Sequence, residues 1–246
     1  MRSPSRSRSW SRLLAACACF ATVLPSAQAA LTISSTRIVQ HSDRHSTSVI
    51  IANPSKRPYA AQIWVNTETD DTTTTVPLIA SPALARLDPD SEQTVQINRL
   101  PNDLPQDRET LFYFNVQEIP QAQDNAPNTL TIALRTRIKL FYRPSQLQGR
   151  PDDHFKAVEW SLQTIDGKPH LVVDNPTPYY YTFGTLEFSQ GGQTETLEAR
   201  AMAIPKNRQS YPLKHVATAS TAQVTFNIVN DYGAVSETVT RKLPRR

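Results

Sequence analysis

Cysteine is almost absent from this chain of 246 residues, and glycine is scarce. Two cysteines, Cys17 and Cys19, lie near the N-terminus, and the whole chain has six glycines. There is no P-loop, dinucleotide fingerprint, G-x-S-x-G elbow or H-E-x-x-H motif, so nothing in the sequence points to a nucleotide-binding protein or to a hydrolase that uses one of these motifs. Because the spacing of His41 and His45 would align them only on a helix, we expect no metal and no cofactor.

Long apolar runs are also lacking. Leu13 to Leu24 is too short for a transmembrane helix, which needs about 18 continuous apolar residues. It follows four arginines and precedes Ala27-Gln28-Ala29. This order is typical of a secretory signal peptide over residues 1–29, so we expect an exported protein without stable membrane insertion. A lipoprotein signal ending at Cys17 is the alternative, disfavoured because almost no apolar run precedes that cysteine.

Removal of residues 1–29 would change both the thiol content and the charge. The remaining chain has no cysteine, which excludes disulfides, a thiol nucleophile and cysteine-ligated metal. The four arginines of the signal account for the formal charge of +4, because the other 217 residues carry 22 basic and 22 acidic side chains. Since no net basic charge is left, we expect no nucleic-acid partner.

Short β-rich runs separated by turn formers recur along the rest of the chain. They lie at 31–39, 48–53, 59–66, 94–98, 111–117 and 129–142, and then at 158–164, 170–174, 180–186, 193–197, 223–229 and 235–240. No segment shows a sustained helical period. This spacing predicts an all-β protein of two sandwich domains. We place them at 30–147 and 148–246, divided near the polar, proline-bounded segment 145–151.

Five segments of the chain resemble, in order, the PapD-like family of periplasmic pilus (fimbrial) chaperones. They are Thr36-Arg37, 104–115, 137–144, 175–180 and 230–233. The resemblance implies two immunoglobulin-like domains set at an angle around a cleft, no enzymatic activity and a periplasmic location. It implies pilus subunits (pilins) as partners, which are stabilised by donor-strand complementation and delivered to an outer-membrane usher. The short connection at 118–128 is similar to that of the short-loop class.

The apolar residues of the last strand in the first domain alternate with polar ones: Leu130, Ile132, Leu134, Ile138 and Leu140. Periodicity alone favours an ordinary strand whose apolar row packs into its own core. The resemblance instead implies that Leu130, Ile132 and Leu134 enter the groove of the subunit as a donor strand. The later apolar residues are then left for the core of the chaperone itself.

Charged residues of the same segments carry the rest of the resemblance. It implies that Arg37 and Lys139 bind the C-terminal carboxylate of the subunit, and that Glu109, Arg143 and Asp231 form an interdomain salt bridge. A guanidinium and an ammonium suit a terminal carboxylate. Strict alternation places Lys139 on the face opposite the apolar row, so twist, a bulge or a strand end is needed to bring both into one site.

Two other classes of function stay open at this point. One is a secreted adhesin or carbohydrate-binding module, for which Tyr179-Tyr180-Tyr181 could form an aromatic platform. The other is a periplasmic hydrolase, which is disfavoured because the sequence has no recognisable catalytic constellation.

Overall fold

The computed structural model describes residues 31–71, 73–120, 132–214, 216 and 221–243. The predicted signal peptide, Leu130 and most of the connection at 118–128 lie outside these residues. Within the described ranges, no helix has the length and apolar character needed to cross a membrane.

The first half of the described chain forms two packed sheets. Their strands are β1 (Thr32–Ile33), β2 (Arg37–His41), β3 (Ser46–Asn53), β4 (Tyr59–Asn66), β5 (Leu78–Ser81), β6 (Leu84–Leu87), β7 (Ser91–Arg99), β8 (Thr110–Pro120) and β9 (Arg135–Arg143). The sheet orders are β1-β3-β7-β5 and β2-β9-β8-β4-β6. In β7, Val95 and Ile97 are buried while Thr94 and Gln96 are exposed. This alternation gives each sheet one apolar face, and the two apolar faces enclose the first core.

The run predicted as one strand at 31–39 is two strands in different sheets. β1 pairs antiparallel with β3, whereas β2 pairs parallel with β9. Leu31 and Ile38 both reach the first core from these two positions. The prediction of a single strand was wrong because local pattern does not specify which sheet a strand joins. The sequence analysis also missed the short strands β5 and β6, because a strand of four residues shows too little alternation to be recognised.

The strand predicted at 129–142 begins later than expected. β9 starts at Arg135, so Ile132 and Leu134 precede it. The last backbone bond of this ladder joins the Glu118 N–H to the Leu134 carbonyl (2.9 Å). Residues 139–142 pair with β2 on one side and β8 on the other, whereas residues 135–138 pair with β8 alone. Among the described residues, the opposite edge of this segment is therefore unpaired.

The second half forms another sandwich. It opens with the short helix α1 (Pro151–His154) and a 3-10 turn (Phe155–Ala157), followed by β10 (Glu159–Ile165), β11 (Lys168–Asn175), β12 (Phe183–Gln190), β13 (Gln193–Thr196), β14 (Asn207–Pro212), β15 (Ala222–Ile228) and β16 (Val239–Lys242). Its sheets are β10-β11-β14 and β13-β12-β15-β16. Asp166 and Gly167 both have positive φ (51° and 73°) between β10 and β11, as a tight hairpin turn requires.

Two separate apolar cores stabilise the two sandwiches. The first runs from Leu31 to Tyr142 and the second from Phe155 to Leu243. In the second core, the Trp160 ring lies 5.1 Å from Phe226 and 5.3 Å from Phe183, between centroids. Each sandwich thus has its own core, and the two meet where β2, β8 and β9 face the second sandwich.

Candidate functional site at the domain junction

Arg37 and Lys139 are direct neighbours in the parallel pair formed by β2 and β9. The residues that follow them, Ile38 and Leu140, are buried in the first core. Because strand side chains alternate, both cations lie on the opposite face, towards the second domain. Arg37 Nη1 donates to the carbonyl of Val229 (2.6 Å) and Lys139 Nζ donates to Thr182 Oγ1 (2.9 Å).

The two cations form a partly buried positive site with no carboxylate partner in the part of the chain that the structure describes. No acidic side chain of the described residues lies within 4.0 Å of either one, and Arg37 Nε is buried without a hydrogen-bond acceptor. Burial, together with the charge of Arg37, lowers the pKa of Lys139 to about 8. Burial also lowers the pKa of Arg37, although Asp231 and Glu109 oppose that shift. Two desolvated like charges side by side would be stabilised by an anion.

Beside this site, Arg143 bridges two carboxylates across the junction. Its Nε donates to Glu109 Oε1 (2.7 Å), and its Nη1 and Nη2 donate to the two oxygens of Asp231 (2.7 and 2.8 Å). Glu109 and Arg143 are only 3% and 7% exposed. Burial raises the pKa of Glu109, and Arg143 offsets part of that rise. Although burial lowers the pKa of Arg143, the carboxylates more than reverse this, so its pKa is raised.

Glu109 also forms hydrogen bonds with the main chain of the second domain. Its Oε2 accepts from the Tyr180 N–H (2.8 Å) and its own N–H donates to the Pro178 carbonyl (2.9 Å). Around these polar contacts, a small apolar cluster joins the domains: Leu111, Phe141, Met202, Tyr113 and Tyr180. The three charged residues grouped by the sequence analysis therefore meet at one buried interdomain contact.

The Asn230–Gly233 turn of the second domain packs against the start of β2. Asn230 Oδ1 accepts hydrogen bonds from the N–H groups of Tyr232 and Ala234 (both 3.0 Å). Gly233 has φ of +82°, and a Cβ at this position would clash with Thr36 Oγ1. The turn therefore needs glycine both for its backbone conformation and for close approach. It places Asp231 opposite Arg143, and the close approach of Gly233 to Thr36 brings the motifs at 36–37 and 230–233 into contact.

The tyrosine run does not form an exposed platform. Tyr179 and Tyr181 are 0% and 1% exposed. The hydroxyl of Tyr179 donates to the carbonyls of Gln148 (3.1 Å) and Gly149 (2.9 Å). The hypothesis that this run forms an aromatic platform for sugar rings is thus wrong, because alternate tyrosines point into the second core. Among the described residues, no cluster of three or more His, Cys, Asp or Glu side chains could hold a metal ion.

The apolar row consists of an exposed part and a buried part, and the change lies close to where β2 begins to pair with β9. Ile132 and Leu134 are 65% and 51% exposed, whereas Ile138 is partly buried against the first core and Leu140 is fully buried in it. Ile132 and Leu134 thus lie next to the unpaired edge of residues 135–138, and Lys139 lies at the other end of that edge. Leu130 lies outside the described residues.

Sequence reasoning missed the partners that the second domain provides. Thr182 Oγ1 and the Val229 carbonyl orient Lys139 and Arg37. Neither partner carries a recognisable signal, because a threonine hydroxyl and a backbone carbonyl are common to any β domain.

Comparison with known proteins identifies the family over nearly all of residues 30–240. The family described as "Pili and flagellar-assembly chaperone, PapD N-terminal domain" matches residues 30–148. The family described as "Pili assembly chaperone PapD, C-terminal domain" matches residues 153–240. These are assembly chaperones, not enzymes.

Individual relatives agree with this match. YadV of Escherichia coli K12, described as a probable fimbrial chaperone, is 34% identical over 231 residues, covering 89% of this chain and 94% of YadV. The chaperone protein PapD of Escherichia coli is 37% identical over 220 residues, 86% of each chain.

Solved structures give the same result for the fold. The crystal structure of YadV has a TM-score of 0.75 at 32% identity, covering 87% of this chain and 100% of YadV. The CupB2 chaperone of Pseudomonas aeruginosa has a TM-score of 0.72 at 29% identity, covering 87% of this chain and 100% of CupB2. The two sandwiches are therefore immunoglobulin-like, as predicted, and the chain belongs to the PapD family of pilus-assembly chaperones.

Proposed function

We propose that this protein captures pilus subunits by adding the free edge of β9 to them, with Leu130, Ile132 and Leu134 entering the subunit groove. The observation that carries the proposal is the edge at 135–138, which no other strand of the described chain covers. It runs from two exposed apolar side chains to a pair of cations that have no carboxylate partner in that part of the chain. An unpaired apolar edge on a secreted protein is an aggregation hazard unless a partner covers it. The same edge suits β-augmentation, in which a partner strand extends the sheet.

The Arg37–Lys139 site anchors the C-terminus of the bound subunit. A terminal carboxylate placed there would accept hydrogen bonds from guanidinium and ammonium, and it would neutralise two partly buried charges. The apolar row and the cations lie on opposite faces of the strand, so a partner that covered one face could not contact both. A partner strand that pairs with the backbone edge at 135–138 can reach both faces with its own alternating side chains. Strand addition therefore explains how the apolar row and Lys139 can bind the same subunit.

The rest of the assembly pathway follows from the family. We infer that residues 1–29 direct export and are removed, that residues 30–147 form the capturing domain and 148–246 the second domain, and that the protein works in the periplasm. There it would hold pilins until an outer-membrane usher receives them. In this scheme Glu109, Arg143 and Asp231 hold the two domains together and do not contact the subunit.

Replacing Ile132 with glutamate tests the donor row. The charge would have to enter an apolar groove, which costs several kcal/mol, whereas in the free protein this side chain is 65% exposed. We expect the amount of pilin co-purified from the periplasm to fall at least tenfold, with the thermal midpoint of the chaperone nearly unchanged.

The matched control is Ile79→Glu, an isoleucine of the same domain that is 49% exposed on β5. It should leave capture unchanged. A large drop in thermal midpoint for Ile132→Glu, or equal loss of capture in both variants, would instead favour a core role for the row or a different capture surface.

The lowered pKa of Lys139 predicts a pH dependence of capture. In the free protein the ammonium loses its proton near pH 8, while a bound carboxylate favours the charged form. Binding must therefore take up a proton above about pH 8, and affinity should fall as pH rises, by up to about tenfold per pH unit for one linked proton.

This pH dependence can be measured by titration calorimetry of a pilin C-terminal peptide between pH 7 and 10. Lys139→Arg is the control, since arginine keeps its proton over this range. Its affinity should be nearly flat. A wild-type profile as flat as that of Lys139→Arg would contradict the placement of the carboxylate beside Lys139.

A further inference from the structure

Three cations occupy alternate positions on one face of β9. Arg135, Arg137 and Lys139 are each two residues apart, and the face they share is opposite to the one that Ile138 and Leu140 present to the core. A strand that slips by one residue turns its apolar side chains to the wrong face, but a slip of two residues keeps them correctly oriented. Alternation of the apolar row alone therefore cannot prevent a partner strand from pairing two or four residues out of register.

The two arginines differ from Lys139 because both form an ion pair with Asp70, which offsets part of their charge. Arg135 Nη1 donates to Asp70 Oδ2 (3.0 Å), and its Nη2 bonds Asp70 Oδ1 in a forked pair. Arg137 Nε lies 3.9 Å from the same Oδ1. Asn66 Nδ2 donates to Asp70 Oδ1 as well (2.6 Å), and these hydrogen bonds, that of Arg135 first, lower the pKa of Asp70 to about 2.

Further contacts fix both guanidiniums where they are. Arg135 lies over the Trp64 ring (4.9 Å) and Arg137 over the Tyr113 ring (3.7 Å). Arg135 Nη2 also donates to Asn115 Oδ1 (2.6 Å), and Arg137 Nη2 donates to the Thr67 carbonyl (2.7 Å). Arg135 is therefore held by side-chain acceptors of the protein itself. Arg137 is held by backbone carbonyls and by its ion pair with Asp70, although its Nε is buried without a hydrogen-bond acceptor. Lys139, in contrast, has a single hydroxyl partner and no carboxylate among the described residues.

We propose that Asp70 is a positioning residue that sets the register of strand addition. By pairing with Arg135 and Arg137, it makes the Arg37–Lys139 pair the favoured cation site on this face for a terminal carboxylate. The carboxylate then has one anchoring position, and the partner strand has one register. This inference rests on the proposed function of β9.

The loop conformation directs the side chain of Asp70 towards β9. Its backbone has φ of +63°, a left-handed turn conformation that aspartate adopts more readily than most residues other than glycine. The adjacent Asp71 caps its own loop by accepting from the N–H groups of Thr73 (3.0 Å) and Thr74 (2.6 Å). The loop is thus held by Asp71, while the side chain of Asp70 points at the two arginines of β9.

The experiment uses the full mature chain, which has no cysteine, so an introduced cysteine is unique. Thr136→Cys places a thiol on the exposed part of β9, and the probe is a synthetic pilin C-terminal peptide carrying one cysteine at successive positions. With wild-type Asp70 we expect one dominant disulfide position. With Asp70→Ala we expect a second position two residues nearer the carboxyl end of the peptide, since Arg137 loses its carboxylate partner and its Nε has no other acceptor.

A double-mutant cycle supplies an independent readout. Lys139→Ala should weaken peptide binding at least tenfold when Asp70 is present, but by less than about threefold in the Asp70→Ala background, because Arg137 then replaces the lost anchor. Asp70→Asn, which preserves shape and one acceptor, should give an intermediate result and covers the case in which Asp70→Ala folds poorly. Asp88→Ala is the matched control, since Asp88 pairs with Arg86 in the same domain.

The outcomes separate this inference from the proposed function. A single crosslinking position in every background, with Lys139→Ala equally harmful in all, would overturn the role of Asp70 and leave strand addition intact. Weaker binding that only follows the loss of folded protein would mean that Asp70 is merely structural. If the wild-type peptide gave no preferred crosslink, strand addition at β9 itself would be wrong.

Discussion

Lys139→Ala is expected to reduce capture of a pilin by tenfold or more. A carboxylate at the domain junction would lose a charge-assisted hydrogen bond worth about 1.5–3 kcal/mol, and each 1.4 kcal/mol corresponds to roughly a factor of ten in affinity. Arg37→Ala should have a similar effect. Because both cations act on one anion, the double variant should cost less than the sum of the single ones.

The measurement is the accumulation of a co-expressed pilin in the periplasm, together with peptide affinity in vitro. Amidation of the peptide's C-terminus should reproduce the loss on the wild-type protein and have little further effect on the Lys139→Ala variant. Arg86→Ala is the matched control, because Arg86 lies in the same sheet but pairs with Asp88 on an exposed surface. If Lys139→Ala kept wild-type pilin levels and peptide affinity, the junction would not be the carboxylate site.

Arg143→Met should lower the free energy of unfolding by about 3–5 kcal/mol, the range found when one partner of a buried ion pair is removed. Glu109 is 3% exposed, and without Arg143 its carboxylate would retain only the Tyr180 N–H as a described hydrogen-bond partner. Glu109→Gln combined with Arg143→Met should recover part of the loss, since the stranded charge is then gone.

Equilibrium unfolding in urea measures these changes. Lys206→Ala is the control, because Lys206 also pairs across the junction, with Asp107, but both side chains are partly exposed. Such pairs contribute about 0–1 kcal/mol. A cost for Arg143→Met no larger than that for Lys206→Ala would show that the buried network adds little to stability. A cost that persisted in the double variant would point to lost packing instead of an unpaired charge.

The sequence predicted the class of fold from strictly local information. Two kinds of signal depend only on neighbouring residues. One is period-two alternation, as in 94–98, and the other is a turn-forming pair such as Asp166-Gly167. The structure has a strand at the first and a tight hairpin at the second. Where a strand depended on a distant partner, prediction was poorer. The run at 31–39 proved to be two strands, and the start of β9 depended on how far β8 could pair with it.

The candidate site shows the same division. The sequence by itself determined the chemical groups: the apolar row before β9, the two cations, and the two acids with their arginine. Only the tertiary structure decided which apolar residues of the row are exposed, because that depends on where β2 begins to pair. Among the described residues, it also decided that Arg37 and Lys139 lack a carboxylate whereas Arg143 has two and Arg135 has Asp70. Alternation is a local property of a strand, while burial and charge pairing depend on residues that only folding brings together.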